Sequence, residues 1–136
     1  MKKNKILIFD DNEAFLEVVS LIFTLPEYTL QLCNSSENVL QTTKYFNPDI
    51  ILMDNGIPDI GGVRASQLIK NDADCQMIPI IFISAHNDIR SLSKNAMADD
   101  YLAKPFDIID LENKVHHFLY SKNAFKNNPF YDIHSE

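Results

Sequence analysis

Cysteine and glycine are scarce in this chain of 136 residues. The two cysteines, Cys33 and Cys75, stand far apart and in no metal-ligand spacing. That argues against a disulfide framework or a thiolate metal site, and for free thiols in a reducing compartment. No apolar stretch approaches the about 20 residues of a membrane span. The start, Met1-Lys2-Lys3-Asn4, runs straight into a short apolar segment and lacks the longer core and small-residue cleavage site of a secretory signal. A soluble cytoplasmic protein with no membrane insertion is expected. Positive charge is also in short supply: 12 Lys and Arg against 19 Asp and Glu leave a formal net charge of -7. A nucleic-acid-binding face needs basic side chains to neutralise phosphates, so no nucleic-acid partner is expected.

What the chain does have is an ordinary globular composition, 46% hydrophobic and 23% charged, in enough residues to bury one sizeable core. Its apolar residues alternate between two periods. Ile6–Phe9, Ile50–Met53 and Ile78–Ile83 are wholly apolar runs, as strands covered on both faces should be. Tyr28–Cys33 and Tyr101–Ala103 are weaker strand signals. Between them lie helical spacings. Phe15, Val18, Val19, Ile22 and Phe23 define a helix over Glu13–Leu25, with Asn12 as its cap and Pro26 as its stop. Ser35 or Ser36 caps a second helix through Val39, Leu40 and Tyr45 to Phe46. A third helix spans Gly62 to about Asn71, a fourth carries Ile89, Leu92 and Ala96, and Asp107 caps a fifth bearing Leu111, Val115, Phe118 and Leu119. Five βα units in succession require a parallel sheet wrapped on both faces by helices. The domain is expected over residues 4–120, with 121–136 a short polar tail and no effector domain.

In an open parallel sheet, chemistry collects outside the carboxyl ends of the strands, where every βα loop emerges. Asp10 and Asp11 follow the first run, Asp54 the third, Ser84 the fourth and Lys104 the fifth. Asp10 and Asp11 repel one another, and burial raises the cost of ionising either. Three carboxylates at one rim suit a hard, oxygen-seeking divalent cation, Mg²⁺ (or Mn²⁺), which would let the acidic pair stay charged. The hydroxyl and the ammonium are then left to meet an incoming phosphoryl oxygen. All three glycines, Gly56, Gly61 and Gly62, lie just past Asp54, where the main chain can approach a ligand closely. His116 and His117, adjacent on a helix, diverge and are expected at solvated positions.

Taken in order, "FDDN", "LMDNGIPDIGG", "IIFISAH" and "ADDYLAKPF" resemble the receiver domain of two-component response regulators, of the single-domain chemotaxis or phosphorelay kind. The resemblance covers roughly Lys5 to Tyr120. It implies a flavodoxin-like three-layer sandwich with strand order 2-1-3-4-5. It implies Asp54 as phosphoacceptor, with Ser84 and Lys104 assisting. Asp10, Asp11, Asp54 and the backbone carbonyl of Gly56 are the implied metal ligands, and Ser84 and Tyr101 the switch pair. The implied phosphodonor is a sensor histidine kinase or a histidine phosphotransfer protein. An unknown downstream protein would read the outcome, with self-phosphorylation and autodephosphorylation the only chemistry. The family usually has a cis bond at the position of Lys104-Pro105. Four positions depart from its habits: Gly56 stands where a larger side chain is frequent, His86 with it where the lifetime of the phosphoryl group is tuned, Met97 replaces a frequent glycine, and Gly61 a common Asp or Asn.

The competing reading is a phosphohydrolase of the haloacid-dehalogenase type, which also uses an aspartate nucleophile and Mg²⁺. Its nucleophile needs a second acid two residues on; Gly56 follows Asp54 at that spacing, and Asn12 follows Asp10. A flavodoxin-like cofactor binder would need a Ser/Thr/Gly-rich first loop, and "DDNEAF" would repel its phosphate.

Overall fold

The structure is a computed structural model in which residues 4–24 and 26–127 are described, with side chains as far as Tyr120. Leu25, expected to end the first helix, lies outside the described residues, as do residues 128–136 of the expected tail. Five strands and five helices alternate along the chain: β1 Asn4–Phe9, α1 Glu13–Ile22, β2 Tyr28–Cys33, α2 Val39–Phe46, β3 Ile50–Asp54, α3 Gly61–Lys70, β4 Ile80–Ser84, α4 Ile89–Asn95, β5 Asp100–Ala103 and α5 Ile108–Asn127. The strands pair in parallel in the order β2-β1-β3-β4-β5, as expected.

The continuous apolar runs occupy the inner strands because both of their faces are covered. Alternate residues of β1, β3 and β4 feed two separate cores. Ile6, Ile8, Ile50, Leu52, Ile81 and Ile83 pack with Val19 of α1 and Leu111, Val115 and Leu119 of α5. Leu7, Phe9, Ile51, Met53, Ile80 and Phe82 face the other way, onto Val39, Ala65, Ile69 and Ile89 of α2, α3 and α4. Among the described residues, no helix is long and apolar enough to cross a membrane.

Several helix ends differ from the sequence expectation. Asn12 caps α1 as predicted, its side chain accepting from the Phe15 N–H at 3.1 Å. The helix ends at Ile22 because Phe23 turns into the core, 2% exposed and edge-on to Tyr28. Neither Ser35 nor Ser36 caps α2, which starts after Asn38 in a left-handed conformation; the Ser36 hydroxyl is engaged with a remote loop instead. The last helix continues past Tyr120 to Asn127. At the opposite end of the sheet from the strand tips, Asp99 Oδ2 accepts from the Ile80 N–H at 2.8 Å and pairs with Lys70 Nζ at 2.6 Å. Lys70 also donates to Ile78 O, so the end of α3 is tied to the entry of β4.

Met97 closes α4 at φ 64°, the left-handed position that favours glycine, with a half-exposed side chain. A left-handed L-residue costs roughly 1–2 kcal/mol, and glycine's larger unfolded-state entropy returns part of that. Met97→Gly is therefore expected to stabilise the domain by about 0.5–1 kcal/mol. The measurement is an upward shift of the urea midpoint at unchanged slope.

Candidate functional site

The register brings the strand ends to one rim: Phe9 lies opposite Met53, Asp54 opposite Ile83, and Ser84 opposite Ala103. Asp10, the next residue after β1, is therefore carried beside the end of β3, and Lys104 beside the end of β4. Asp10, Asp11 and Asp54 each place a carboxylate oxygen within 4.8 Å of the others. Asp10 is 1% exposed, Asp54 is buried, and Asp11 is open to solvent.

Both oxygens of Asp54 accept hydrogen bonds, but only one of Asp10 does. Asp10 Oδ1 accepts from the Asn12 N–H at 2.8 Å. Asp54 Oδ2 accepts from the Gly56 N–H at 2.9 Å, and Asp54 Oδ1 from Lys104 Nζ at 3.0 Å. Asp10 Oδ2 is buried and accepts no hydrogen bond; Lys104 Nζ is 3.6 Å away, an ion-pair distance only. Burial pushes the Asp10 carboxyl above its ordinary range and the Asp54 charge adds to the rise, with the Asn12 N–H and Lys104 in partial opposition. Burial also works against the charge on Lys104, yet Asp54 and Asp10 outweigh it and raise its pKa. The ammonium is steadied from outside by Phe15, whose ring centroid is 5.5 Å from Nζ, and Phe15 is in turn met edge-on by Phe106.

An orphaned buried carboxylate oxygen beside two more acids is a cation-seeking arrangement, and an all-oxygen donor set suits Mg²⁺ rather than a softer metal. The residues present fit that ion.

The family model for the response regulator receiver domain matches residues 6–116. The chain belongs to that family. It is 32% identical over 116 residues to the signal transduction histidine-protein kinase BarA of Escherichia coli, covering 84% of this chain and 12% of BarA. It is 30% identical over 115 residues to the transcriptional regulatory protein KdpE of Staphylococcus aureus, covering 83% of this chain and 48% of KdpE. The chain thus spans less than half the length of either relative. Among solved structures, the receiver domain of the sensor histidine kinase PA1611 of Pseudomonas aeruginosa, with a magnesium ion coordinated in its active-site cleft, superposes with a TM-score of 0.77 at 25% identity. That match covers 86% of this chain and 98% of the other.

Of the remaining expected site residues, Ser84 and Gly56 lie at this rim, while Tyr101 lies two residues back along β5, opposite Phe82. Ser84 is buried at the end of β4, its hydroxyl accepting from the His86 N–H at 3.0 Å. His86 is exposed, and its Nδ1 accepts from the Asp88 N–H. Tyr101 is half-buried on β5 and packs against the core on the α4 side. The Lys104-Pro105 peptide is cis, as the resemblance implied. A Cβ on Gly56 would stand 3.3 Å from Asp54 Oδ2, so the bare glycine leaves the carboxylate uncovered.

Two residues escaped the sequence reading. Ser36, one of two serines expected as the cap of α2, is 1% exposed and bonded to the loop after Asp54 instead. His116 is not solvated like His117. Its Nε2 lies 3.1 Å from the Tyr28 hydroxyl, which in turn bonds the Tyr120 hydroxyl at 2.6 Å. Burial and the Tyr120 hydroxyl push the Tyr28 phenol well up. No local signal marks either residue, because their partners come from distant segments.

Proposed function

We propose that Asp54 accepts a phosphoryl group from a phosphohistidine on a sensor histidine kinase or a histidine phosphotransfer protein, or from a small phosphodonor. The observation that carries this is one arrangement: an Asp54 carboxylate beside two further acids, with the Lys104 ammonium 3.0 Å from its Oδ1. Asp54 attacks phosphorus; the P–N bond breaks and its electron pair returns to the imidazole nitrogen. Lys104, already in contact with Asp54, is within reach of the arriving oxygens. Ser84 keeps its O–H free to donate, since its oxygen is the acceptor in the bond from His86. Asp10, Asp11, Asp54 and the Gly56 carbonyl would hold Mg²⁺ (or Mn²⁺), whose charge offsets the repulsion between acids and phosphoryl oxygens.

New negative charge at Asp54 draws Ser84 and Lys104 inward and frees space behind Ser84 for Tyr101. That biases the surface formed by α4, β5 and α5, which an unidentified downstream protein would read. The hydrolase reading is disfavoured because Gly56, with no side chain, stands where that nucleophile needs its second acid.

The test is to incubate the protein with Mg²⁺ and acetyl phosphate or phosphoramidate and weigh it intact. A gain of one phosphoryl group is expected; an unchanged mass at saturating donor and metal overturns the reading. Sustained turnover of small phosphate esters would favour a hydrolase.

Metal and pH act through Asp10. Its folded-state pKa lies above the unfolded one, so the folded state holds the proton more tightly. Without metal, stability therefore falls as pH rises from the ordinary carboxylate range through the folded value. At neutral pH, Asp10→Asn is expected to raise the urea midpoint in the presence of a chelator and to lose the Mg²⁺ response. The wild type should gain about 2.7 kcal/mol at Mg²⁺ one hundred times its Kd. Equal metal stabilisation of both proteins would exclude Asp10 as a ligand.

A further inference from the structure

We propose that Ser36 is a positioning residue for the site, holding the loop after Asp54 in shape by fixing Asp59 in a left-handed conformation; the proposal rests on the metal-bound phosphoacceptor reading above. Ser36 lies between β2 and α2, far in sequence from the loop it touches, and is 1% exposed. Its hydroxyl donates to Pro58 O at 2.7 Å and accepts from the Ile60 N–H at 2.9 Å. Its own backbone N–H donates to Pro58 O as well, at 2.9 Å.

These two loop atoms are the ones that flank Asp59. The Pro58 carbonyl belongs to the peptide unit before it, and the Ile60 N–H to the unit after it. Asp59 has φ 86°, a value that L-residues seldom adopt. One buried hydroxyl thus grips both peptide planes around the strained residue, and strain of this kind persists only where surrounding structure over-determines it.

The same short loop carries the site. Its first turn holds Gly56, whose N–H bonds Asp54 Oδ2, and its middle is anchored by Ile57, which is 2% exposed. Its far end is held where the Gly62 N–H donates to Asn55 O at 3.0 Å. Without the hydroxyl, the Ser36 N–H still holds Pro58 O but nothing from Ser36 holds the Ile60 N–H, and Asp59 can relax to negative φ. The peptide planes on either side rotate, and the Gly56 backbone that faces the acids loses its fixed position. Replacing Asp59 by glycine removes the strain at its source, since glycine takes positive φ without penalty.

The test compares the wild type with Ser36→Ala and Ser36→Ala/Asp59→Gly in the full chain. Mg²⁺ affinity is read by calorimetry without phosphodonor, phosphoryl uptake from acetyl phosphate by intact mass, and stability by urea unfolding. Ser36→Ala is expected to weaken Mg²⁺ binding about tenfold, the lower end of the range for residues that orient metal ligands, and to slow uptake. Asp59→Gly in the same background should recover most of both. A Ser36→Ala protein that is less stable but binds Mg²⁺ and takes up phosphoryl like the wild type overturns the proposal. So does a double variant no better than Ser36→Ala. Should Ser36→Ala be too unstable to purify, Ser36→Cys, whose thiol is a weaker donor and acceptor, carries the same comparison. If the Mg²⁺ pattern holds while the wild type gains no mass, positioning stands and the phosphoacceptor reading fails.

Discussion

Asp54→Asn, given Mg²⁺ and acetyl phosphate, is expected to keep its unmodified mass where the wild type gains a phosphoryl group. The amide has the shape of the carboxylate but no anionic oxygen to attack phosphorus, so the effect is all-or-none within detection. The fold should survive. Asp54 is buried at a strand end, and the Gly56 N–H can still donate to the amide oxygen. Removing one of three clustered acids also relieves repulsion, while Lys104 keeps Asp10 as a partner at 3.6 Å. A folded Asp54→Asn protein that still gains the phosphoryl group would move the acceptor elsewhere. Asp10, Asp11 and the exposed His86 would then be the next side chains to replace.

Gly62→Ala should cost about 3 kcal/mol or more and abolish uptake in whatever fraction remains folded. A Cβ at this position would overlap Asp54 O and stand 2.8 Å from Asn55 Cα, so it meets backbone rather than a side-chain tip that can rotate away. Either α3 lifts from the sheet or the end of β3 moves, and the end of β3 carries Asp54. Against a total stability of roughly 5–15 kcal/mol, that loss is large. The neighbouring glycines supply the contrast. Gly61 has φ +81°, and the nearest atom to an added Cβ is Asn55 O at 3.9 Å, so Gly61→Asn should stay near wild type because asparagine tolerates that conformation. Gly56→Ala meets only Asp54 Oδ2 at 3.3 Å and should leave stability little changed. Urea midpoints of the three variants check the order; a Gly62→Ala protein as stable as Gly56→Ala would contradict the packing argument.

Much of the architecture was legible because the inner strands of a doubly covered sheet have no polar face to write. Ile6–Phe9, Ile50–Met53 and Ile78–Ile83 read as strands without knowledge of their neighbours, though the last begins only at Ile80, and topology alone points to the residues after them as the site. Helix ends were less legible, since a cap competes with any better partner that folding delivers. Asn12 had no such competitor and capped α1; Ser36 had Pro58 and Ile60, and left α2 uncapped. His116 failed for the same reason, its environment being set by Tyr28 and Tyr120 rather than by its helix.

By itself the sequence determined a five-fold βα alternation and the residue types that stand at each strand tip, because periodicity and strand ends are local properties of the chain. Only the tertiary structure decided which oxygen of Asp10 is left without a donor, that Lys104 bridges Asp54 and Asp10, and that a serine from another loop grips the one following Asp54. Those are distances between segments remote in sequence, and they exist only once parallel pairing has set the register that brings the segments to one edge.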